Sequence, residues 1–208
     1  MIRIAHVELE SISAYSQSRN HGTPRLENEP HEAYRLRTWR EQLHYNEHGE
    51  VFIPPMASKN GLTAAAKRLG MPVPGRGRKT YLDFFKSAIL CPEPLMLGIN
   101  KDDVQSETLF LPAMCKPGSG RVWKTFPVIP NWRGTAEIII VDATITNGVF
   151  ETHFEVYGKY IGVGRFRPEV GGFYGRFQVL NIVYSEMTET LAGPASPRKT
   201  VKQVKEAA

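Results

Sequence analysis

The segment GVGRFRPEVGGFYGRF, residues 162–177, limits the fold of this chain more than any other. Its five glycines, Gly162, Gly164, Gly171, Gly172 and Gly175, separate a stretch of helical period from one of strand character. Glycine permits positive φ and lets another backbone come close, and backbone N–H groups freed in such a loop can point at phosphates. Arg165, Arg167 and Arg176 add planar, bidentate donors. Phe166, Phe173, Tyr174 and Phe177 offer faces on which bases can stack. Glycine, arginine and aromatic residues interleaved suit a single nucleic-acid strand. The competing reading is a purely structural connection, with Phe166 and Phe177 the first candidates for the core. The GxGxxG frame is not completed, since Arg167 stands where its third glycine would fall, and no GxxxxGK[ST] loop occurs.

The segments around this loop read as α+β. Residues 135–145, TAEIIIVDATI, form the strongest strand, and their near-continuous apolar centre predicts a buried sheet position. A helix follows over 147–160, with Phe150, Phe154, Tyr157 and Ile161 at helical spacing and Asn147 as its cap, and a last strand runs 177–184. Upstream, 2–9 is a β-branched first strand, 11–30 a loop, 32–45 a ragged helix and 51–54 a short strand. Ser58 caps a helix with Leu62, Ala65, Ala66 and Leu69 on one face, closed by Gly70. After the Pro/Gly/Arg loop 71–79, a second helix spans 80–90 and Pro92 stops it. Residues 95–135 read as strands broken by turns, and Pro127 and Pro130 make 122–129 an edge or an arm.

The 208 residues carry 41% apolar and 23% charged residues, enough for a real core without disulfides. A net charge of +5 gains meaning from its clustering. Lys59, Arg76, Arg78 and Lys79 lie in one basic stretch, Lys116, Arg121 and Lys124 in a second, and the arginines of the glycine loop in a third. Three basic clusters in loop-like sequence point to a phosphate backbone as partner. Cys91 and Cys115 have no zinc spacing and read as free thiols in a reducing, cytoplasmic setting. The N-terminus is too short in apolar run for a signal peptide, and nothing is long enough to span a membrane. Residues 191–208 read as a basic tail, disordered until something orders it.

The strand–helix–glycine loop–strand unit of residues 135–180 resembles the closing unit of the RAMP superfamily, the RNA-binding proteins of CRISPR effector complexes, and within it the backbone subunits that coat guide RNA. The resemblance implies a ferredoxin-like, RRM-type sheet. It implies one domain over 1–190, with inserted helices at about 55–95 and a protruding thumb hairpin at about 112–130. It further implies single-stranded guide RNA, other copies of the chain and other subunits of a ribonucleoprotein as partners. No cofactor, no metal and no catalysis are expected. Gly162, Gly164, Arg165, Arg167, Gly171, Gly172, Gly175 and Arg176 would touch RNA or shape the loop that does. Lys59 and Asn60 at a helix start suit phosphate contact, and Arg19 lies in a polar segment past the first strand that could meet RNA.

Some relatives are metal-independent ribonucleases with a histidine base, a role open to His6 or His21. Asp83, Asp102, Asp103 and Asp142 are the weaker metal-site alternative. The rival functions are a phage single-stranded DNA-binding or annealing protein, and a protein-interaction mimic that inhibits a CRISPR complex. A phage-encoded relative of the family fits the same pattern.

Overall fold

The structure, a computed structural model, describes residues 2–113, 118 and 120–187. Its strands are β1 (Ile2–Ser11), β2 (Glu50–Ile53), β3 (Ile89–Leu90), β4 (Leu95–Asn100), β5 (Gln105–Pro112), β6 (Arg121–Val128), β7 (Arg133–Ile140) and β8 (Phe177–Met187). Its α-helices are α1 (His31–Thr38), α2 (Pro55–Leu69), α3 (Leu82–Ala88) and α4 (Asn147–Val156). A 3₁₀ turn, Trp39–Gln42, extends α1, and a π-helical turn, Tyr157–Ile161, extends α4.

Alternation in β1 decides which side of the main sheet is covered. Ala5, Val7 and Leu9 are buried, while Ile4, His6 and Glu8 between them are partly exposed, the period of a strand covered on one face. The sheet has the order β3-β7-β1-β8, and every neighbouring pair is antiparallel. On the covered side Ala5 lies opposite Ile138 and Val7 opposite Ala136, and this side packs into one cluster with Leu62 and Ala65 of α2 and Phe150 and Phe154 of α4. Complete burial of a phenylalanine contributes about 1.5–3 kcal/mol, so the two rings of α4 anchor that helix. Tyr157 closes α2 onto the π-turn: its ring lies where a Cβ on Gly61 would sit, 2.0 Å away.

The opposite face of the sheet carries Glu8, Glu10, His6 and Glu137 and, by its register, no aromatic side chain. Two further antiparallel pairs stand outside this sheet, β2 with β4 and β5 with β6. The β5–β6 ribbon is seated by buried Thr125 and Phe126, with Gln42 Nε2 donating to the Thr125 carbonyl at 3.2 Å.

Several local expectations change. α2 starts at Pro55, because proline at the first helical position needs no partner for its missing N–H. Ser58 is therefore an interior, buried residue and not the cap. The helix expected over 80–90 stops at Ala88, and Ile89 and Leu90 turn extended to pair with Ile140 and Ile139. Thr146, not Asn147, caps α4, its hydroxyl accepting from the Val149 amide. The hairpin strands are Gln105–Pro112 and Arg121–Val128, so the first lies ahead of the expected 112–130 segment. Cys115 and the tail 191–208 lie outside the described residues. Among the described residues, no helix is long and apolar enough to cross a membrane.

Among the buried polar residues, His153 is the histidine. His153 is wholly buried, stacked on Phe85 with ring centroids 4.2 Å apart, and its Nδ1–H donates to the Val149 carbonyl at 2.6 Å. Its Nε2 is buried with no partner among the described residues. Burial pulls its pKa below the ordinary histidine value, outweighing the Val149 carbonyl that favours the charged form. A folded-state pKa below the unfolded one means that stability is present above the unfolded value, about 6.5, and is lost as pH falls through it. Melting temperature should therefore fall between about pH 7.5 and 5.5. His153→Leu should flatten that fall, leaving the smaller slope due to His31 and His44, whose pKa values are also depressed. Thermal scans of both proteins across this range check it.

Candidate nucleic-acid interface

The glycine loop is built by backbone contact with the segment that leaves β1. The Gly175 amide donates to the Ala14 carbonyl at 2.7 Å, the Arg165 amide to Ser16 at 2.8 Å and the Val163 amide to Gly175 at 3.0 Å. This closeness dictates glycine. Gly164 has φ +79°, and a Cβ there would lie 2.3 Å from the Ser16 carbonyl oxygen and 2.4 Å from the Tyr15 ring. At Gly175, φ +70°, it would lie 1.8 Å from the Val163 carbonyl oxygen. The amides of Gly162, Gly171, Gly172 and Gly175 all donate within the protein. The glycines thus shape the loop, and of their five amides that of Gly164, beside a cleft, makes no such bond among the described residues.

The cleft, of about 380 Å³, lies between the loop and the first turns of α2. Gln17, Ser18, His44, Asn60 and Arg167 supply its polar groups, and Gly162, Val163 and Gly164 its floor. Gln17 is fixed, donating to the Phe52 carbonyl at 2.7 Å and to Tyr15 Oη at 3.0 Å. No side chain caps α2, whose first turn, with Pro54 and Ala57, also lines the cleft. A helix N-terminus carries partial positive charge, although here Pro55 has no N–H and the Ala57 amide already donates to the Pro54 carbonyl at 2.9 Å. Arg167 is held by Glu169 at 2.8 Å, the one carboxylate in the lining.

Arg165 leaves the other side of the loop. Its guanidinium lies 4.5 Å from the centre of the Phe126 ring, within cation–π range. Burial, and then the charge of Arg35, pull its pKa below the usual guanidinium range.

Of the aromatic residues in the loop, one is free to stack. Phe173 is 65% exposed, whereas Tyr174 and Phe177 are 6% and 3% exposed. Phe166 packs edge-on against Phe126, with centroids 5.6 Å apart. Tyr174 Oη donates to Glu107, and burial together with that carboxylate raises its pKa to about 12. The β5–β6 ribbon adds an exposed pair, Phe110 and Trp123, 5.0 Å apart, with the Arg121 guanidinium over Phe110.

The remaining candidates divide. Arg19 and Asn60 lie beside the loop, Asn60 in the cleft and Arg19 in a neighbouring pocket with Arg165. Lys59 does not face the cleft with its charge. Its ammonium donates to the carbonyls of Phe85, Lys86 and Ile89 at 2.6–2.7 Å, capping the C-terminus of α3. Arg76, Arg78 and Lys79 are exposed on the 71–79 loop. Arg76 acts electrostatically on Asp142, ahead of α4, whereas the glycine loop leaves the far end of that helix. Lys124 donates to the Pro112 and Ala113 carbonyls, and Arg176 to those of Lys159 and Phe173. Lys116 lies outside the described residues.

Of the histidines weighed as a base, His6 lies 3.9 Å from Glu137 on the uncovered sheet face, and His21 lines the pocket of Arg19 and Arg165. No group of three or more His, Cys, Asp or Glu among the described residues is placed to hold a metal. Burial pushes the Cys91 thiol up to about 12. Gln17, His44, His21, Arg35 and Gln42 join the site without a local sequence motif to mark them.

No family model and no curated protein matches the sequence. Among solved structures, the chain is similar to a chain in the cryo-EM structure of the Type III-B Cmr-beta bound to cognate target RNA, with 12% identity and a TM-score of 0.47. That match covers 88% of this chain and 60% of the other, so this chain spans less than two thirds of its counterpart. It is also similar to Cmr6 from Pyrococcus furiosus, with 12% identity, a TM-score of 0.41, and coverage of 85% and 96%. A chain of a CRISPR RNA-guided surveillance complex matches with 12% identity, a TM-score of 0.32, and coverage of 75% and 57%. The structural similarity is thus to subunits of Type III CRISPR Cmr complexes, at low sequence identity.

The close fit of the loop gives a direct expectation. Gly164→Ala must move the backbone of Ser16 or the ring of Tyr15, and should lower stability by about 2–4 kcal/mol in urea unfolding. Gly148→Ala, with open space around its Cβ position, should cost little by comparison.

Proposed function

We propose that the chain binds single-stranded RNA, as a guide-coating subunit that polymerises along the strand in a CRISPR-type ribonucleoprotein. The observation that carries this reading is the cleft between the glycine loop and α2. There a rigid backbone loop, an uncapped helix N-terminus and the polar side chains of Asn60, Ser18 and Arg167 converge. A phosphodiester backbone needs such donors, and exposed Phe173, Phe110 and Trp123 supply faces for bases.

The sheet supports a ferredoxin-like reading. Taken alone, β1, β3, β7 and β8 alternate with helical crossovers as β-α-β-β-α-β, in the spatial order second, third, first, fourth. The β2–β4 pair and the β5–β6 ribbon are then insertions, the ribbon serving as the thumb. RNA would not lie across the uncovered sheet face, where Glu8, Glu10 and Glu137 repel phosphate and no phenyl, phenol or indole ring is available to stack. The strand instead follows the loops at the end of the sheet where β1 exits.

Binding should be cooperative with strand length and should weaken steeply between roughly 50 and 200 mM salt. The double variant Arg165→Ala/Arg167→Ala should lose about 1–3 kcal/mol of affinity, measured by fluorescence anisotropy on oligoribonucleotides. Affinity that is flat across this salt range, or untouched in the double variant, would remove phosphate contact at the loop. Equal binding of DNA and RNA of one sequence would favour a single-stranded DNA-binding protein, since the 2′-hydroxyl is what separates the two.

A further inference from the structure

Beside the glycine loop, next to the cleft and sharing Ser18 with it, lies another cavity of about 250 Å³. Arg19, Arg35 and Arg165 all line it, together with His21, Tyr34 and Gln42, and its lining holds no carboxylate. Three elements bring the arginines together: the segment after β1, the middle of α1 and the glycine loop. Guanidinium groups placed side by side repel one another, and the repulsion grows as water is withdrawn. A protein normally answers such a cluster with an acid.

Here none answers. None of the three arginines is ion-paired among the described residues. The nearby acid Glu29 is already held by Arg37 at 2.8 Å. The donors are also poorly used. Arg35 Nε and His21 Nδ1 are buried without a partner among the described residues. Arg165 reaches Gln42 Oε1 only at 3.4 Å, and Arg19 reaches the Leu43 carbonyl only at 3.4 Å. Buried polar groups left unpaired are uncommon and call for an explanation. Clustered positive charge, unused planar donors and a polar cavity share one: a site shaped for an anion with several acceptor oxygens.

We infer that the pocket formed by Arg19, Arg35 and Arg165 binds a phosphate group. The fork geometry of guanidinium matches phosphate oxygens in pairs, and three forks around one cavity suit a tetrahedral anion. The seating of Arg165 over Phe126 holds one fork in place before the ligand arrives. The pocket itself does not rest on the RNA reading. Only the source of the phosphate does, being either a terminal phosphate of the strand or one of its internal phosphodiesters.

The test begins with inorganic phosphate. Thermal unfolding of the full chain is followed as sodium phosphate replaces sodium chloride at constant ionic strength and pH. A saturable rise in melting temperature is expected for the natural protein. Arg35→Gln and, separately, Arg19→Gln should weaken the apparent phosphate affinity about tenfold or more, the scale of one lost charge-assisted bond. Arg19 is exposed, so its variant tests the pocket even if Arg35→Gln fails to fold. Equal melting temperatures in the two salts would overturn the inference. So would an equal rise in both variants, which is the general effect of an excluded salt.

Oligoribonucleotides with phosphate or hydroxyl ends then separate the sources. If Arg35→Gln loses affinity only for the phosphorylated strand, the pocket holds a terminus. If it loses affinity for both alike, the pocket holds a phosphodiester. Phosphate protection without any RNA binding would sustain the pocket and dismiss the RNA reading instead.

Discussion

Six residues at the exit of β1 hold the molecule together through their backbone. Ser11 donates to Trp132, Ile12 and Ser13 to Arg176, and Tyr15 exchanges two bonds of 2.8 Å with Ile129. Ala14 and Ser16 accept from Gly175 and Arg165. The segment therefore continues the central strand beyond the sheet proper, with the approach to β7 on one side and the glycine loop on the other. A buried peptide group left unpaired costs about 1–3 kcal/mol, so a change that pushes this segment aside breaks several bonds at once. Tyr15 locks it further, its ring wholly enclosed and touching Trp132 edge-on at 6.2 Å.

This arrangement divides the labour between backbone and side chain in the glycine loop. Four of the five glycine amides, all but that of Gly164, are spent on the protein, and the missing Cβ atoms are what let three backbone runs meet. Chemistry toward a ligand is left to the arginines, which leave the loop in opposite directions. Arg167 goes toward α2, and Arg165 toward α1 and the β5–β6 ribbon. One rigid loop thus serves two cavities, and the polar groups around both are set by a hydrogen-bonded frame rather than by flexible surface chain.

Much of this was legible in the sequence, and the exceptions have physical causes. The run Ile138–Ile140 marks β7 because all three side chains are buried, Ile138 and Ile140 on the covered face and Ile139 on the other, opposite Ile4 and Leu90. The helical spacing of Phe150, Phe154 and Tyr157 marks α4 and its π-turn for the same reason of burial. β3 was hidden because two apolar residues at a helix end look like a last turn, and only the open edge of β7 makes them a strand. Lys59 misled for a related reason. A lysine at a helix start suggests phosphate, but the carbonyls it caps belong to a helix whose position sequence does not give. Arg35 went unnoticed because it stands on a weakly amphipathic helix, and its importance comes from Arg165, which is distant in the chain. The aromatic residues of the loop were visible as a set, but which of them are buried depends on Phe126 and Glu107, and these come from the ribbon.

The hub at the exit of β1 also fixes when the site can exist. Ser16 and Arg165, which bond to each other, are roughly 150 residues apart, and at about 5–20 residues per second of synthesis the first waits on the order of ten seconds or more for the second. Until β7 is made the central strand has neither of its long partners, and through the whole interval the three arginines are not yet neighbours. Neither cavity exists until the glycine loop has been translated. A nascent chain therefore offers no assembled site to a passing anion before its synthesis has reached that loop.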